Sequence, residues 1–216
     1  MLLLALDTAT PAVTVALHDG AAVVAEESAV DRRRHGELLA VFIDKALRSV
    51  GAGRDDLTAI AVGTGPGPYT GLRAGLVTAR VLASALRIRI DGVCSLDVIA
   101  TAARTQAAGA EFLVATDARR REVYWARYSA SGHRSDGPHV SRPPDLPSGL
   151  AVAGEGALIY PDLTDRPLEP AFPSAAQLAA IAAGRLARGE PAQPVVPLYL
   201  RRPDAREPGK PKRVTP

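Results

Sequence analysis

The chain has 216 residues, a formal net charge of +3, an apolar content of 47 % and a single cysteine, Cys94. That length allows one large folded domain or two small ones, and one cysteine excludes a disulfide framework or a cysteine-based zinc site and suits a reducing compartment. The apolar start, Met1–Leu6, is cut by Asp7 without a basic flank, so a strand is expected there and not a signal peptide; no run is long enough to span a bilayer, and the expected location is the cytoplasm, with no membrane partner.

Charge is placed unevenly. Residues 201–216 hold six Lys/Arg against Asp204 and Glu207, which leaves 20 basic and 21 acidic groups in the first 200 residues. The basic excess therefore reads as a property of the end of the chain and not of a binding face. A Pro/Lys/Arg end of this kind is expected as a solvated, disordered tail, with weak contact to RNA phosphates as the other reading.

Taken in order, Leu2–Leu6 and Val13–Leu17 are expected as strands joined by the turn Asp7-Thr8-Ala9-Thr10-Pro11. Asp19-Gly20 signals a hairpin into a third strand at Ala21–Glu27. Over Gly36–Val50, the residues Leu38, Leu39, Phe42, Ile43, Ala46, Leu47 and Val50 share one face, the spacing of an amphipathic helix. Asp55-Asp56-Leu57 opens a strand through Ile60-Ala61-Val62, and that strand runs into GTGPGPYTGLRAG, residues 63–75.

In this loop Gly63, Gly65, Gly67 and Gly71 are interleaved with Pro66 and Pro68. Glycine permits close approach and proline fixes φ, so the loop is both permissive and rigid. Thr70 is the expected N-cap of a helix over Gly71–Leu86, and such a junction points free N–H groups at whatever lies in front of it. Neither familiar phosphate loop matches. No lysine follows Gly71, and G-x-G-x-x-G spacing would need glycine at Thr70 or at Pro68. A tight turn that only lets strand and helix pack is the competing reading.

The helix is apolar nearly all round, broken by Arg73, Thr78, Arg80 and Ser84, so burial on more than one side is expected. Gly75, Ala79 and Ala83 recur every fourth residue, a smooth stripe for a second helix. A strand near Ile88–Val93 follows, and Ser95 then caps a helix to about Gln106. Three strands followed by alternating helix and strand make a mixed α/β unit.

The second half begins as the first does, with Asp117 in the place of Asp7 and Val123–Arg127 in the place of Val13–Leu17, aligned without a gap. A repeat of this length predicts two related lobes. The thinner second one continues through a Gly/Pro/Ser-rich loop (Ser129–Pro147), a strand at Leu150–Ala153 and a helix near Ala175–Arg188, and closes at Val195–Leu200. The expected division is a first lobe over 1–108, a second over 109–200 and the basic tail over 201–216.

Asp7 with Thr8, and Asp117 opposite, end strands where a carboxylate could hold Mg²⁺ or orient water against a phosphate; an Asx-type turn cap is the other reading of each. Arg119, Arg120 and Arg121 would block close approach of a nucleotide to Asp117, though they could reach phosphate from a distance. The nucleotide or phosphate candidates are therefore Asp7, Thr8, Gly65, Gly67, Thr70 and Gly71. His35 has Leu38 and Leu39 where a helical metal pair would need its second ligand, and reads as a helix-start or interface residue. With no G-x-S-x-G and no H-E-x-x-H, no catalytic set and no metal set is assigned.

The stretches LLALDTATPAVTVAL, GTGPGPYTGLRAG, TDARRREVYWARY and VVPLYLRR resemble, in that order and at comparable spacing, the bacterial TsaB family, also called YeaZ. The likeness runs from Met1 to about Arg202, with Pro68-Tyr69 standing where the family usually has Ser-Phe. It implies duplicated RNase H-like lobes of the actin/Hsp70/sugar-kinase type, mixed sheets flanked by helices. It also implies a non-catalytic role in placing threonylcarbamoyl on N6 of the adenosine beside the anticodon of tRNAs that read codons beginning with A. A TsaD-like paralogue carries out that transfer, a TsaE-like ATPase assists, and tRNA meets the chain through the complex.

The docking surface expected from the two helices comprises Leu39, Phe42, Ile43, Arg73, Gly75, Leu76, Ala79 and Ala83, and a lone chain should cover it by homodimerising. The chain itself is expected to require no cofactor, with ATP or ADP and Mg²⁺ left open at the cleft or at the partner interface. The rival functions are a stand-alone ATPase or small-molecule kinase of the same fold, using Asp7, Thr8 and the glycine loop, and a plain dimeric scaffold.

Overall fold

Two five-stranded sheets form the frame of the computed structural model, which describes residues 1–201; apart from Arg201, the tail expected over 201–216 lies outside the described residues. The first sheet contains β1 (Leu3–Asp7), β2 (Ala12–His18), β3 (Val23–Val30), β4 (Ala59–Gly63) and β5 (Arg89–Val93) in the order β3-β2-β1-β4-β5. β1, β2 and β3 pair antiparallel, while β4 joins β1, and β5 joins β4, in parallel. Both central strands β1 and β2 are buried on both faces, which is why they read as continuous apolar runs. β3 closes the edge and alternates between half-buried and exposed residues.

The second sheet repeats this plan with β6 (Phe112–Asp117), β7 (Val123–Tyr128), β8 (Arg134–Ser141), β9 (Ala151–Ala153) and β10 (Pro167–Leu168), ordered β10-β9-β6-β7-β8. The pairing directions are the same. One detail of the repeat differs from the ungapped alignment. Asp7 faces Thr14 across the first hairpin, whereas Asp117 faces Val123. The second turn is one residue shorter, so Val123 stands in the place of Thr14 and not of Val13. In a strand a one-residue slip exchanges the faces, and Val123 indeed packs with Leu113 and Ala115 rather than with Phe112 and Val114.

Among the described residues five α-helices cover the sheets. α1 (His35–Ser49) and α2 (Tyr69–Leu86) lie on one face of the first, packing Leu39, Ile43, Leu47, Leu72 and Leu76 on Leu4, Leu6, Val13 and Val15. The other face is covered by α5 (Ala175–Ala187), whose Leu178, Ala179 and Ala182 meet Leu3, Ala5 and Ala61. The helix from the second half of the sequence thus packs on the first sheet. Its start is fixed there by the Ala175 N–H donating to the Thr14 hydroxyl at 2.9 Å. Conversely α3 (Ser95–Ala103) lays Leu96, Ile99 and Ala103 on Phe112, Val114 and Tyr128 of the second sheet. The short α4 (Glu155–Ile159) lies beneath the opposite face of that sheet. Duplicated sheets of this order, flanked by helices, are the RNase H-like lobes of the actin/Hsp70/sugar-kinase type.

Local differences from expectation have simple causes. α2 begins at Tyr69 with Pro68 at its N-cap, so Thr70 lies exposed in the first turn and caps nothing. Cys94, not Ser95, precedes α3, and the Ser95 hydroxyl is used elsewhere. Arg54–Asp56 forms a 3₁₀ turn before β4. β8 arises inside the stretch expected as loop: its sequence RSDGPHVS has no apolar alternation, and its pairing with the edge of β7 decides its conformation. After α5, residues 190–201 run as an extended strap. Its Gln193 carbonyl accepts from Gly92 N–H (3.1 Å), its Leu198 N–H donates to Thr64 O (2.9 Å), and Arg201 reaches Ala118 O (3.0 Å) and pairs with Glu122.

Candidate functional site

β1 delivers Asp7 to the bend, and the carboxylate folds back on its own turn. Oδ1 accepts from Ala9 N–H at 2.7 Å, an Asx-type closure, and Oδ2 accepts from the Ser95 hydroxyl at 2.6 Å. The group is wholly buried, and burial pushes its pKa up to about 6 against the pull of the Ser95 and Ala9 hydrogen bonds. Gly63 is required beside it, because a Cβ there would overlap the Asp7 carboxylate.

Thr8 ties this turn to α2. Its hydroxyl donates to Gly71 O (2.8 Å) and accepts from Gly75 N–H (3.0 Å), and a Cβ on Gly75 would overlap that hydroxyl. A Cβ at Gly67 would run into Ala9 O. Gly65, at φ +86°, exchanges hydrogen bonds with Ser95: its N–H donates to the hydroxyl (3.2 Å) and its carbonyl accepts from Ser95 N–H (2.8 Å). Asp7, Thr8, Gly65, Gly67 and Gly71 are therefore brought together. Ser95 and Gly63 complete the arrangement. Nothing in the local sequence marks Ser95, which is 88 residues from Asp7 along the chain.

The cleft opens on the outer side of this turn, a cavity of about 240 Å³ lined by Thr8, Thr10, Arg32, Arg33, Thr70, Gly71 and Arg119 among others. The Asp7 carboxylate does not reach it. His35, the first residue of α1, lies with Nε2 3.0 Å from Thr10 O and its ring against Gly71, so it anchors the helix start to the turn. Across the cleft Arg32 lies 3.7 Å from Asp117 and 3.9 Å from Glu155, linking the lobes. Burial raises the pKa of Glu155, and its carboxylate accepts from Asp117 N–H at 3.3 Å. Among the described residues no group of three or more His, Cys, Asp and Glu gathers, and no helix is long and apolar enough to cross a membrane.

The expected docking residues need correction. Leu39, Ile43, Leu76, Ala79 and Ala83 are 5 % exposed or less, and Gly75 is sealed against Thr8; all lie in the core of the first lobe, with Phe42 half-buried against it. The small residues let α2 approach the sheet and α1, so the stripe faces inward. Only Arg73 is exposed, and it meets the Tyr199 hydroxyl of the strap at 2.9 Å. α2 is buried on one side only, and its outer side presents Val77 (58 % exposed) and Val81 (61 %); on α1, Val41 (58 %) is likewise exposed. Ala40, Ile43, Arg54, Val77, Val81 and Leu82 line a groove of about 310 Å³ between the two helices. The valines were legible as part of an all-round apolar pattern, but not as its outer half.

A family model described as "TsaD: tRNA N6-adenosine threonylcarbamoyltransferase" matches residues 22–141. An uncharacterized protein of Mycobacterium tuberculosis is 48 % identical over 207 residues, covering 94 % of this chain and 93 % of the relative. The tRNA threonylcarbamoyladenosine biosynthesis protein TsaB of Escherichia coli is 31 % identical over 220 residues, covering 93 % and 95 %. The solved structure of YeaZ from Pseudomonas aeruginosa superimposes with a TM-score of 0.77 at 29 % identity, covering 92 % of this chain and 99 % of that one. With the order of its motifs, its duplicated sheets and these relatives in agreement, the chain belongs to the TsaB (YeaZ) family of tRNA threonylcarbamoyladenosine biosynthesis proteins.

Proposed function

We propose that this chain is the non-catalytic subunit that a TsaD-like partner requires to transfer threonylcarbamoyl from threonylcarbamoyl-AMP to N6 of the adenosine beside the anticodon. The substrates are tRNAs that read codons beginning with A. The observation that carries the reading is a sealed turn beside an open helix face. Asp7, the carboxylate best placed to serve a phosphate, has both oxygens engaged inside the fold, whereas Val41, Val77 and Val81 stand out from α1 and α2. Exposed valines on two adjacent helices, Val77 and Val81 of them lining one groove, suit burial against a partner.

In this reading the chain by itself requires no cofactor. ATP or ADP with Mg²⁺ acts at the partner interface, a TsaE-like ATPase joins the complex, and the isolated chain covers the same α1–α2 face with a second copy. The test is to mix the purified chain with the TsaD-like protein, follow association by light scattering, and assay threonylcarbamoylation with each component omitted. Val77→Asp with Val81→Asp should lower partner affinity 100-fold or more, while folding stability stays within about 0.5 kcal/mol because both side chains already meet water. Strong ATP turnover by the chain alone, with no complex formed, would favour the stand-alone kinase or ATPase.

A further inference from the structure

The near-zero charge of the first 200 residues conceals a strongly basic local feature. Arg119, Arg120 and Arg121 are successive residues at φ 61°, 57° and 60°, a left-handed turn that exposes all three side chains. The turn is braced by Ala118 N–H donating to Glu122 O (3.0 Å), by Glu122 N–H donating to Arg119 O (3.1 Å), and by Arg201, which holds Ala118 O and Glu122. It forms a ridge between two depressions. Arg119 lines the cleft cavity, with Arg32 and Arg33 across from it. Arg121 lines a second, larger cavity of about 570 Å³ together with Arg142, Tyr160, Ile159, Pro143 and Pro161.

The charges on the two sides are not equally committed. Arg32 and Arg119 share Asp117, and Arg32 also reaches Glu155. Among the described residues Arg33, Arg121 and Arg142 have no carboxylate within ion-pair distance, although Asp162 lines the larger cavity. That cavity combines two exposed guanidinium groups with one aromatic ring and an apolar floor. The donors suit phosphate oxygens, and the ring suits the face of an unstacked base. A run of Asp and Glu alone would satisfy the arginines but offers no aromatic ring to stack on Tyr160, whereas every base of an unpaired strand offers one.

We infer that the Arg119–Arg121 ridge and the Arg121/Arg142/Tyr160 cavity beside it bind single-stranded RNA, with phosphates along the ridge and one base against Tyr160. The inference goes beyond the scaffold role and rests on that reading only in taking tRNA as the natural strand. A braced turn presents its arginines on a backbone already ordered, so only their side chains are ordered on binding.

The test is fluorescence anisotropy of the full chain with a labelled anticodon stem-loop RNA and with labelled polyuridine, across a salt series. Arg121→Glu with Arg142→Glu should weaken binding of both RNAs about tenfold or more and flatten the salt dependence by about one unit per arginine removed. Tyr160→Ala should weaken it about tenfold with the salt slope kept. Arg104→Glu, an exposed reversal at the end of α3 on the opposite face of the second sheet, should change nothing. Wild-type RNA affinity in the double reversal overturns the inference. So does loss of binding only when Lys210, Lys212 and Arg213 are changed to Gln, and so does polyglutamate competing as well as polyuridine.

Light scattering with the TsaD-like protein separates this outcome from the scaffold reading. Ridge variants should assemble normally, so a failed complex with ridge-dependent RNA binding sinks only the scaffold reading. An intact complex with ridge-independent RNA binding sinks only the RNA site.

Discussion

After Asp7 the chain passes through Thr-Ala-Thr-Pro beneath a glycine loop; after Asp117 it passes through Ala-Arg-Arg-Arg-Glu, held by Arg201 of the strap. The two turns close equivalent hairpins of equivalent sheets, and both aspartates accept a backbone N–H two residues on, at 2.7 Å and 2.8 Å. Their surroundings part them. Asp7 is covered by Gly63 and Ser95 and loses all contact with water, whereas Asp117 keeps some exposure and pairs with Arg32 and Arg119. A carboxylate that begins as a turn-former became a sealed core element in one lobe and a charge partner at the cleft in the other. Duplication preserved the backbone device and left its electrostatic use to whatever packed over it.

Gly63→Ala attacks the sealed turn most directly. The added methyl overlaps the Asp7 carboxylate within a strand that cannot shift, so a loss of about 3 kcal/mol or more is expected in urea unfolding, with failure to fold as the extreme. Asp7→Asn is a gentler probe. Well below pH 3.8 the wild-type carboxyl is protonated in both folded and unfolded chains. Between its unfolded value near 3.8 and its folded value of about 6, the folded chain binds more protons, so wild-type stability falls as pH rises. Relative to Asp7→Asn the fall should total about 3 kcal/mol and be complete above about pH 6. A flat difference across that range would mean that the carboxylate is not sealed.

On the open turn the effect should be small and opposite in sign. Arg121→Gly relieves one left-handed residue without disturbing a packed neighbour, and a gain of up to about 1 kcal/mol is expected by thermal unfolding. Destabilisation there would show that Arg121 holds its turn and does not merely occupy it.

Much of this was legible beforehand, because local pattern carries it. The apolar runs at Leu3–Asp7 and Ala12–His18, the face of α1 and the paired Asp7/Asp117 hairpins follow from residue spacing alone. The site was legible as a gathering place, since a loop of alternating glycine and proline must approach something closely. What it approached was not. Ser95 reaches Asp7 only through the parallel crossing from β4 to β5, and the inward turn of Gly75, Ala79 and Ala83 depends on which side of α2 meets the sheet.

The sequence by itself therefore determined most of the strand and helix pattern (β8 excepted), the duplication and the family, because these rest on short-range periodicity and motif order. Only the tertiary structure decided that Asp7 is sealed, that the valines of α1 and α2 face outward, and that Arg119–Arg121 form a ridge beside Arg142 and Tyr160. Each of those depends on burial and proximity between residues far apart in the chain, and a helix that is apolar all round carries no mark of which half a neighbour will cover.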